Sequence, residues 1–280
     1  LALVQASGST PVWLVTQGAT AGAVPATEIS VAQSPLWGLG RTLAVERPGT
    51  LGGLVDLDPT ASAADSALQL LDVLTNSRNE DMVALRSGVR YVPRLTRVEP
   101  SPVPVAPTAL DAEDTVLITG GTGGLGLRLV EWLAARGARH LILCSRRPPD
   151  AAAKAQLDRL TTTGVDVVAL QVDVADYETL RQQLDTAVAG RPGVTGVFHL
   201  AGALDDAQIA SQSWDRFSGV FASKVDGAWN LHRWTQGTTL KHFVLFSSVA
   251  SMVPVAGQSN YAAANAFLDA LAHHRRAQGL

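Results

Sequence analysis

Residues 115–126 read TVLITGGTGGLG, an apolar run followed at once by a turn rich in glycine. The apolar run, Thr115 to Thr119, has the length of a buried strand, and an amphipathic helical pattern continues from the turn to about Arg136. A strand, a tight glycine turn and a helix N-terminus in this order are typical of a dinucleotide-binding loop. Unpaired N–H groups and the positive dipole end of such a helix favour a bound pyrophosphate.

The spacing of the glycines in this turn fits two phosphate-loop patterns. Gly121, Gly123 and Gly126 fit the pattern G-x-G-x-x-G. Gly120, Gly124 and Gly126 fit T-G-x-x-x-G-x-G. The alternative is a glycine turn that serves only close packing of the strand against the helix. The predicted cofactor loop comprises Gly120, Gly121, Thr122, Gly123, Gly124, Leu125 and Gly126.

The rest of the C-terminal half alternates between strand-like and helix-like segments. Such alternation predicts an α/β fold of the Rossmann type, a doubly wound parallel sheet with right-handed crossovers. The predicted strands are His140 to Ser145, Val165 to Val172, Val194 to Leu200 and Lys241 to Ser247, and the predicted helices are Asp150 to Thr163, Ala175 to Ala189, Ser213 to Thr235 and Ser259 to Ala277.

The N-terminal half carries a thinner version of this pattern. Gln33-Ser34-Pro35-Leu36 resembles Gln258-Ser259-Asn260-Tyr261, so this half is either a degenerate Rossmann-like copy that has lost its site or a chance match. Its predicted elements are strands at Val12 to Thr16 and Leu51 to Asp58, a helix from Ser34-Pro35 to Glu46 with Ser34 as cap, a helix at Ser62 to Thr75, and a hairpin turn at Ser87-Gly88 between Met82 to Leu85 and Val89 to Leu95.

Four prolines between Pro100 and Pro107 indicate a linker, because proline lacks the N–H that a strand ladder needs. We therefore predict a structural subdomain without a cofactor site at residues 1–98, a linker at 99–107 and a nucleotide-binding subdomain at 108–280. The first residue is not Met, and the chain reads as an excised piece of a longer polypeptide.

The composition is that of a globular protein, with 46% hydrophobic and 17% charged residues. A net charge of −3 predicts no nucleic-acid partner. No apolar run approaches the roughly 18 residues of a membrane helix, so no membrane partner is expected. Cys144 is the only cysteine, which excludes an internal disulfide or a cysteine metal cluster. The expected location is the cytoplasm.

Three further strand ends predict the rest of a nucleotide site. Ser145-Arg146-Arg147 stands where an NAD site carries an acidic residue, and guanidiniums there suit a 2′-phosphate, so NADPH is favoured as the cofactor. The alternative is two solvated surface arginines. Asp173-Val174 is placed to meet the adenine, although Asp173 equally suits a turn cap. Ala201-Gly202 would leave room for the nicotinamide ribose.

Four side chains in the last third suit the reduction of a ketone. Tyr261 is the candidate general acid, and Ser248 would donate to the carbonyl oxygen as its negative charge grows. A phenol has an ordinary pKa near 10, and an ammonium such as that of Lys224 would favour its ionised form. Asn265, one helical turn after Tyr261, would hold Lys224 or a water for proton resupply. Each residue alone is more often a core residue than a catalyst.

These residues carry a resemblance to the ketoreductase domain of modular type I polyketide synthases, in the short-chain dehydrogenase/reductase superfamily. Most short-chain dehydrogenases carry Lys four residues after the Tyr, whereas here that position is Asn265 and the lysine is Lys224, an exchange typical of the synthase domains. The resemblance extends to the family's structural subdomain. The matching pieces are residues 120–126, 145–147, 199–202, 223–227, 246–248 and 260–271, and residues 34–44 for the structural subdomain.

The resemblance implies a substrate and a stereochemical outcome. The substrate would be a β-ketoacyl thioester on the phosphopantetheine arm of an acyl carrier protein, with neighbouring synthase domains as further partners. Leu204, Asp205 and Asp206 match the signature of B-type members, which yield the D-configured hydroxyl. Val253 is not the Trp that marks the opposite type. Without the resemblance, Asp205 and Asp206 read as a solvated loop or helix cap.

The sequence departs from the family at both ends and near the Tyr. The family continues past the Tyr helix with another strand and a lid helix, whereas this sequence stops at Leu280. It also begins inside the expected structural subdomain, so activity of this piece alone is an open question. Ala256 stands where many B-type members have Pro, which leaves the preference for an α-substituent open. Two alternatives remain: a stand-alone reductase of a small ketone, and a catalytically silent structural domain.

Overall fold

The computed structural model describes residues 1–21, 29–76, 79–97 and 110–280. The described residues form two compact units. The first unit groups residues 1–97 with Leu204–Phe221 and Ser247–Leu280, and the second groups residues 110–203 with Ala222–Phe246. The predicted linker at 99–107 lies outside the described residues, so the predicted subdomain boundaries stay a prediction.

The second unit is built on a five-stranded, fully parallel sheet with the strand order β7-β6-β5-β8-β9. Its strands are β5 (Thr115–Thr119), β6 (His140–Ser145), β7 (Asp166–Gln171), β8 (Val194–His199) and β9 (His242–Leu245). The order reverses between β5 and β8, and ligands of such sheets bind at the carboxyl ends of the strands around this point. The predicted Rossmann-type α/β fold is therefore confirmed.

Parallel neighbours require crossovers, and single helices supply those from β5 to β6, from β6 to β7 and from β7 to β8. These are α4 (Gly124–Ala135), α5 (Ala151–Thr162) and α6 (Tyr177–Val188). The Asp150 carboxylate caps α5 by accepting from the backbone N of Ala153 at 2.8 Å. Asp176 is the cap of α6 and accepts from the N–H of Thr179 at 3.2 Å.

The predicted long helix from Ser213 to Thr235 is not continuous. It consists of α7 (Trp214–Phe221), which belongs to the first unit, a π-helical turn at Ala222–Asp226, and α8 (Gly227–Trp234). A π turn adds one residue to the helical repeat, and such insertions often occur at functional sites. Because apolar residues recur at helical spacing on both sides of the π-helical turn, the sequence pattern does not reveal the extra residue.

The sheet of the second unit is apolar on both faces, because helices cover each of them. Alternate residues of β5 point to opposite sides, so Leu117 belongs to one core and Val116 and Ile118 to the other. The two cores are completed by helical side chains, which include Val130, Leu133 and Leu157 on one face and Leu180, Leu184 and Leu231 on the other.

The first unit contains a four-stranded sheet in the order β1-β2-β3-β4. β1 (Val12–Gln17), β2 (Leu51–Leu57) and β3 (Met82–Arg86) are parallel, whereas β4 (Val89–Tyr91) is antiparallel to β3. The turn between β3 and β4 has Ser87 at φ 49° and Gly88 at φ 76°, as a type I′ turn requires. The predicted hairpin is confirmed, with a shorter second strand.

The helices of the first unit are α1 (Ala2–Ala6), α2 (Pro35–Glu46), α3 (Ala63–Thr75), α7 and α9 (Ser259–Ala277). α1 was not predicted because five residues are too few to show a helical period. Ser34 and Pro35 occupy the N-cap and first helical positions of α2, as predicted, but the Ser34 side chain makes no capping hydrogen bond. The backbone of Ser34 is already helical, and its hydroxyl donates to the carbonyl oxygen of Val31 at 2.8 Å.

A buried ion pair fills the carboxyl end of the first sheet. The Asp56 carboxylate accepts from the backbone N of Ala19 at 2.8 Å and of Thr20 at 3.0 Å, and it pairs with Arg86. These two N–H groups follow β1, as the glycine loop of the second unit follows β5. A protein carboxylate thus accepts from the N–H groups that follow β1.

Candidate active site

The glycine loop between β5 and α4 depends on two close backbone approaches. Gly120 has φ of 69°, in the left-handed region that favours glycine, and its N–H donates to the carbonyl oxygen of Cys144 at 2.8 Å. A Cβ on Gly126 would lie 2.3 Å from the carbonyl oxygen of Gly120. The helix N-terminus therefore packs directly on the turn, and no larger residue fits at either position.

Two other glycines of the loop differ in what surrounds them. A Cβ on Gly121 would meet Leu143 at 2.9 Å, so Gly121 packs beneath the loop. A Cβ on Gly124 would have no heavy atom within 4 Å, because this position faces open space. The alternative that the glycines serve only close packing therefore applies to Gly121. It does not apply to Gly124, which leaves a pocket free in front of the N-terminus of α4.

This pocket has a volume of about 570 Å³. It lies at the carboxyl ends of the parallel strands, where a Rossmann sheet binds its ligand. All predicted cofactor residues except Gly121 line it, namely Gly120, Thr122, Gly123, Gly124, Leu125, Gly126, Ser145, Arg146, Arg147, Asp173, Val174, Ala201 and Gly202.

The end of β6 brings one hydroxyl and two guanidiniums to the pocket. Ser145 accepts a hydrogen bond at 2.8 Å from the hydroxyl of Thr122 in the glycine loop. Arg146 and Arg147 are exposed, and within the described residues neither guanidinium pairs with a carboxylate. Two uncompensated positive charges at the rim make this end of the pocket suitable for an anionic group.

The segments that follow β7 and β8 bring an acidic residue and two small residues to the pocket. Asp173 accepts from the backbone N of Ala175 at 3.0 Å, the turn cap that its position also allowed, and it still lines the pocket. Val174 is buried. The N–H of Ala201 donates to the hydroxyl of Thr119 at 3.1 Å. A Cβ on Gly202 would lie 3.1 Å from the Cε of Lys224, so the glycine leaves space for the lysine side chain.

Lys224 belongs to the second unit and lies on the π-helical turn. The side chain is 5% exposed, and its ammonium donates to the backbone carbonyl oxygen of Phe246 at 2.9 Å. Phe246 directly follows β9. The strand end therefore fixes the ammonium beside Gly202, which lines the pocket.

His199 at the end of β8 is a buried residue that the sequence patterns did not single out. Its Nδ1 lies 2.7 Å from the Thr119 hydroxyl. Burial, and then the positive charge of Lys224, lower the pKa of His199 to about 4. The imidazole is therefore neutral near pH 7. In the sequence it stood in the matching piece 199–202, where only Ala201 and Gly202 were assigned a role and His199 was interpreted as a strand residue.

The first unit holds the other three predicted catalytic residues. Ser248 follows β9, and its hydroxyl accepts from the backbone N of Ala250 at 3.2 Å, which closes a 3₁₀ turn. Tyr261 lies in the first turn of α9 and is half-buried. Asn265 is fully buried, and its amide donates to the backbone oxygen of Tyr261 at 2.9 Å. Asn265 thus braces the helix turn that carries Tyr261.

Leu204, Asp205 and Asp206 form a loop that is tied to the start of α9. Asp205 pairs with Arg216 of α7. The carboxylate of Asp206 accepts from the side-chain amide of Gln258 at 2.9 Å. Leu204 is 64% exposed. The two carboxylates therefore have defined partners, and the loop is not simply a solvated turn.

Asn260, which precedes Tyr261, holds the same loop and was not predicted as a site residue. Its side chain is fully buried, and its amide donates to the backbone oxygen of Asp205 at 2.8 Å and of Arg216 at 3.4 Å. Its side-chain oxygen accepts from the N–H of Tyr261 at 2.7 Å. The sequence signal was its place next to the candidate acid, at the start of the matching piece 260–271.

Two family models cover almost all of this chain. Residues 114–280 match the model described as KR domain. Residues 1–95 match the model described as polyketide synthase extender module SpnB, Rossmann fold domain. Within the part of the chain that the structure describes, no helix is both long enough and apolar enough to cross a membrane.

Similar sequences occur within much longer polypeptides. The chain is 42% identical over 294 residues to polyketide synthase GfsB of Streptomyces halstedii, which covers 100% of this chain and 5% of that protein. It is 39% identical over 286 residues to the pikromycin polyketide synthase component PikAIII of Streptomyces venezuelae, covering 100% of this chain and 18% of that protein. The chain thus spans a small part of each of these relatives.

Similar solved structures also cover the whole chain. A structure of A-type ketoreductases from a modular polyketide synthase superposes with a TM-score of 0.91 at 40% identity, over 99% of this chain and 60% of the solved one. The first ketoreductase of the tylosin synthase superposes with a TM-score of 0.86 at 41% identity, over 100% and 60%.

Proposed function

We propose that this chain, which belongs to the ketoreductase domains of modular polyketide synthases, reduces a β-ketoacyl thioester with NADPH to the D-β-hydroxyacyl thioester. The observation that carries this proposal is the pocket of the second unit. A glycine loop, a helix N-terminus and two exposed arginines meet there at the switch point of a parallel sheet.

The residues present fit an NADP cofactor. Gly124 leaves open space in front of α4, so the N–H groups of this helix would hold the pyrophosphate. Arg146 and Arg147 would hold the 2′-phosphate, because no carboxylate of the described residues neutralises them. Ala201 and Gly202 would leave room for the nicotinamide ribose. When bound, the cofactor supplies the hydride.

The chain's own residues supply the proton and stabilise the developing charge. We assign to Tyr261 the transfer of a proton from its hydroxyl to the oxygen of the substrate ketone. We assign to Ser248 the donation of a hydrogen bond to the same oxygen, since donors aimed at a developing negative charge lower the barrier. Lys224 would favour the ionised phenol after this transfer. Asn265 would hold the helix turn of Tyr261 in place.

The D configuration is the finer part of the proposal. It is supported by Leu204, Asp205 and Asp206, which match the B-type signature, and by Val253 in place of the Trp of the opposite type. The overall likeness to A-type structures does not decide the type, because the signatures concern a few residues of one loop. The loop itself is ordered by Asp205, Asp206 and Asn260.

The proposed partner is an acyl carrier protein that presents the substrate on its phosphopantetheine arm, together with neighbouring synthase domains. Support comes from the relatives, which are synthases many times longer than this chain. Apolar side chains follow Ser248 and are exposed, which suits an acyl chain. They are Val249, Met252, Val253 and Val255.

The test is consumption of NADPH with a β-ketoacyl thioester of a pantetheine analogue, followed by chiral analysis of the alcohol. Turnover with NADPH preferred over NADH and a D-hydroxyl product is the expected result. An L product would overturn the assignment of the Leu204-Asp205-Asp206 loop and leave the reaction intact. A folded protein that binds NADPH and never turns over would instead favour a silent structural domain.

A further inference from the structure

The helix α2 of the first unit contacts every segment of that unit to which we assign a part in the reaction. It belongs to the subdomain that the sequence predicts to be without a site. Three of its residues make these contacts, namely Gly38, Arg41 and Glu46. They lie on successive turns of one helix, so each contact is fixed relative to the others.

The first contact is the approach of α2 to α9. A Cβ on Gly38 would lie 2.3 Å from the carbonyl oxygen of Ala262, the residue after Tyr261. The two helices therefore meet backbone to backbone at the turn that carries the proposed acid. No side chain lies between them to absorb a shift of either helix.

The second contact holds the turn that follows Ser248. The guanidinium of Arg41 donates to the backbone oxygen of Ser251 at 2.5 Å. The hydroxyl of Ser251 donates to Asp269 of α9 at 2.6 Å, and its N–H donates to the backbone oxygen of Ser248 at 3.1 Å. Arg41 thus ties the Ser248 turn to α2.

The third contact is made by the carboxylate of Glu46, the last residue of α2. One oxygen accepts from the backbone N of Ile209 at 2.6 Å, and the other accepts from the backbone N of Gly257 at 2.7 Å. Ile209 ends the loop that begins at Leu204, and Gly257 precedes α9. One side chain therefore holds two loops with one oxygen each.

The two loops also pair with each other beside this carboxylate. The N–H of Ala207 donates to the carbonyl oxygen of Gly257 at 2.8 Å, and Ala207 forms a parallel bridge with Gln258. Such a two-residue pairing is too short to fix a register by itself. Hydrogen bonds from backbone N–H groups to an ionised carboxylate are the shorter and stronger kind. Glu46 thus adds a carboxylate that binds both loops to the contacts that Asp206 and Asn260 make between them.

We propose that Glu46 is a positioning residue for the stereochemical outcome, because it aligns the Leu204-Asp205-Asp206 loop with the segment that leads into Tyr261. This inference rests on the proposed function. It assigns a part in the reaction to α2, in the segment that the sequence predicts to be without a cofactor site, because Glu46 holds the loop to which we assign the stereochemical outcome.

The test compares Glu46→Gln and Glu46→Asp with the unchanged protein in the assay of NADPH consumption. The glutamine amide can accept one N–H, but its own NH₂ group opposes the other. The aspartate side chain is one methylene shorter and reaches one loop only. We expect kcat/KM to fall about 10-fold through KM, by loss of one charge-assisted hydrogen bond, and the fraction of L alcohol to rise.

Glu80→Gln is the matched control, because it makes the same chemical change at a carboxylate of the first unit that pairs with Arg94. It should leave KM and the D to L ratio unchanged. If a Glu46 variant forms the D and the L alcohol more slowly by the same factor, their ratio is unchanged. This result would show a merely structural role and overturn the proposal. If the unchanged protein reduces no thioester, the proposed function fails first.

Amide hydrogen exchange keeps the proposal testable if turnover is too slow to resolve. The N–H groups of Ile209 and Gly257 should be protected in the unchanged protein and exchange at least about 10-fold faster in Glu46→Gln. The amides of β2 serve as an internal reference for the intact unit. Equal protection of both amides in the variant and the unchanged protein would overturn the assignment.

Discussion

At the scale of single residues, the hydroxyl of Tyr261 is the group on which the proposed reaction depends. Tyr261→Phe removes the proton donor and keeps the ring, so turnover should fall about 10²-fold or more while NADPH binding is unchanged. The measurement is kcat for the thioester together with NADPH fluorescence. Tyr177→Phe makes the same change at a ring that packs on Arg233, and it should leave kcat unaltered.

Arg146 carries the expected choice between the two nicotinamide cofactors. Arg146→Ala removes a charge-assisted contact to the 2′-phosphate, so the Kd of NADPH should rise about 10-fold or more and that of NADH should change little. Titration of cofactor fluorescence measures both constants. The exposed Arg159 of α5 lies outside the pocket, and Arg159→Ala is the control. An equal loss for both cofactors would remove the proposed role from Arg146.

His199 predicts how stability depends on pH. Burial and Lys224 lower its pKa to about 4, so between about pH 6.5 and 4 the unfolded chain binds a proton that the folded chain does not. The free energy of unfolding therefore decreases as pH falls through this window, and at the lower end it is smaller by roughly 3 kcal/mol. His199→Asn carries no titratable group there and should flatten the dependence. Thermal unfolding at a series of pH values measures it, and identical curves for both proteins would contradict the assignment.

At the scale of elements, the sequence predicted strands and crossovers well because their signals are local. The helix α9 runs from Ser259 to Ala277 as predicted. Three features were not accessible from a local pattern. The π-helical turn at Ala222–Asp226 adds one residue within an unbroken apolar period. The helix α1 is too short to show a period, and the Ser34 hydroxyl at the N-cap of α2 donates to Val31 and makes no capping hydrogen bond.

At two nearby positions of the glycine loop, a substitution by alanine should have different effects. At one position it should lower stability, and at the other it should weaken cofactor binding. A Cβ on Gly126 would collide with the backbone of Gly120, so Gly126→Ala should lower the free energy of unfolding by about 1–3 kcal/mol. A Cβ on Gly124 meets nothing within 4 Å and faces the pocket. Gly124→Ala should leave the unfolding free energy within about 0.5 kcal/mol and weaken NADPH. Denaturant unfolding and cofactor titration of both variants decide between the two effects.

At the scale of the whole molecule, the sequence pointed to the chemistry but not to the way the chain is grouped. The motif residues of the cofactor pocket are contiguous in sequence or follow strand ends, so they could be found by pattern. Glu46 could not, because its partners Ile209 and Gly257 are more than 160 positions away in the chain. Nor could the grouping of α9 with the first unit, which follows from the approach of Gly38 to Ala262.

The two sheets give the last prediction, since the described residues place a carboxylate on the N–H groups after β1 and a pocket at the loop after β5. In the first, Asp56 already accepts from the N–H groups of Ala19 and Thr20 and pairs with Arg86. In the second, the corresponding loop opens onto the pocket. NADPH at about 100 times its Kd should therefore stabilise the protein by about 2.7 kcal/mol through a single site. Amide exchange should slow in the loop from Gly120 to Gly126 and stay unchanged in β1 and β2. Protection of both sheets, or a stoichiometry of two, would show that the Asp56 ion pair does not block the first sheet.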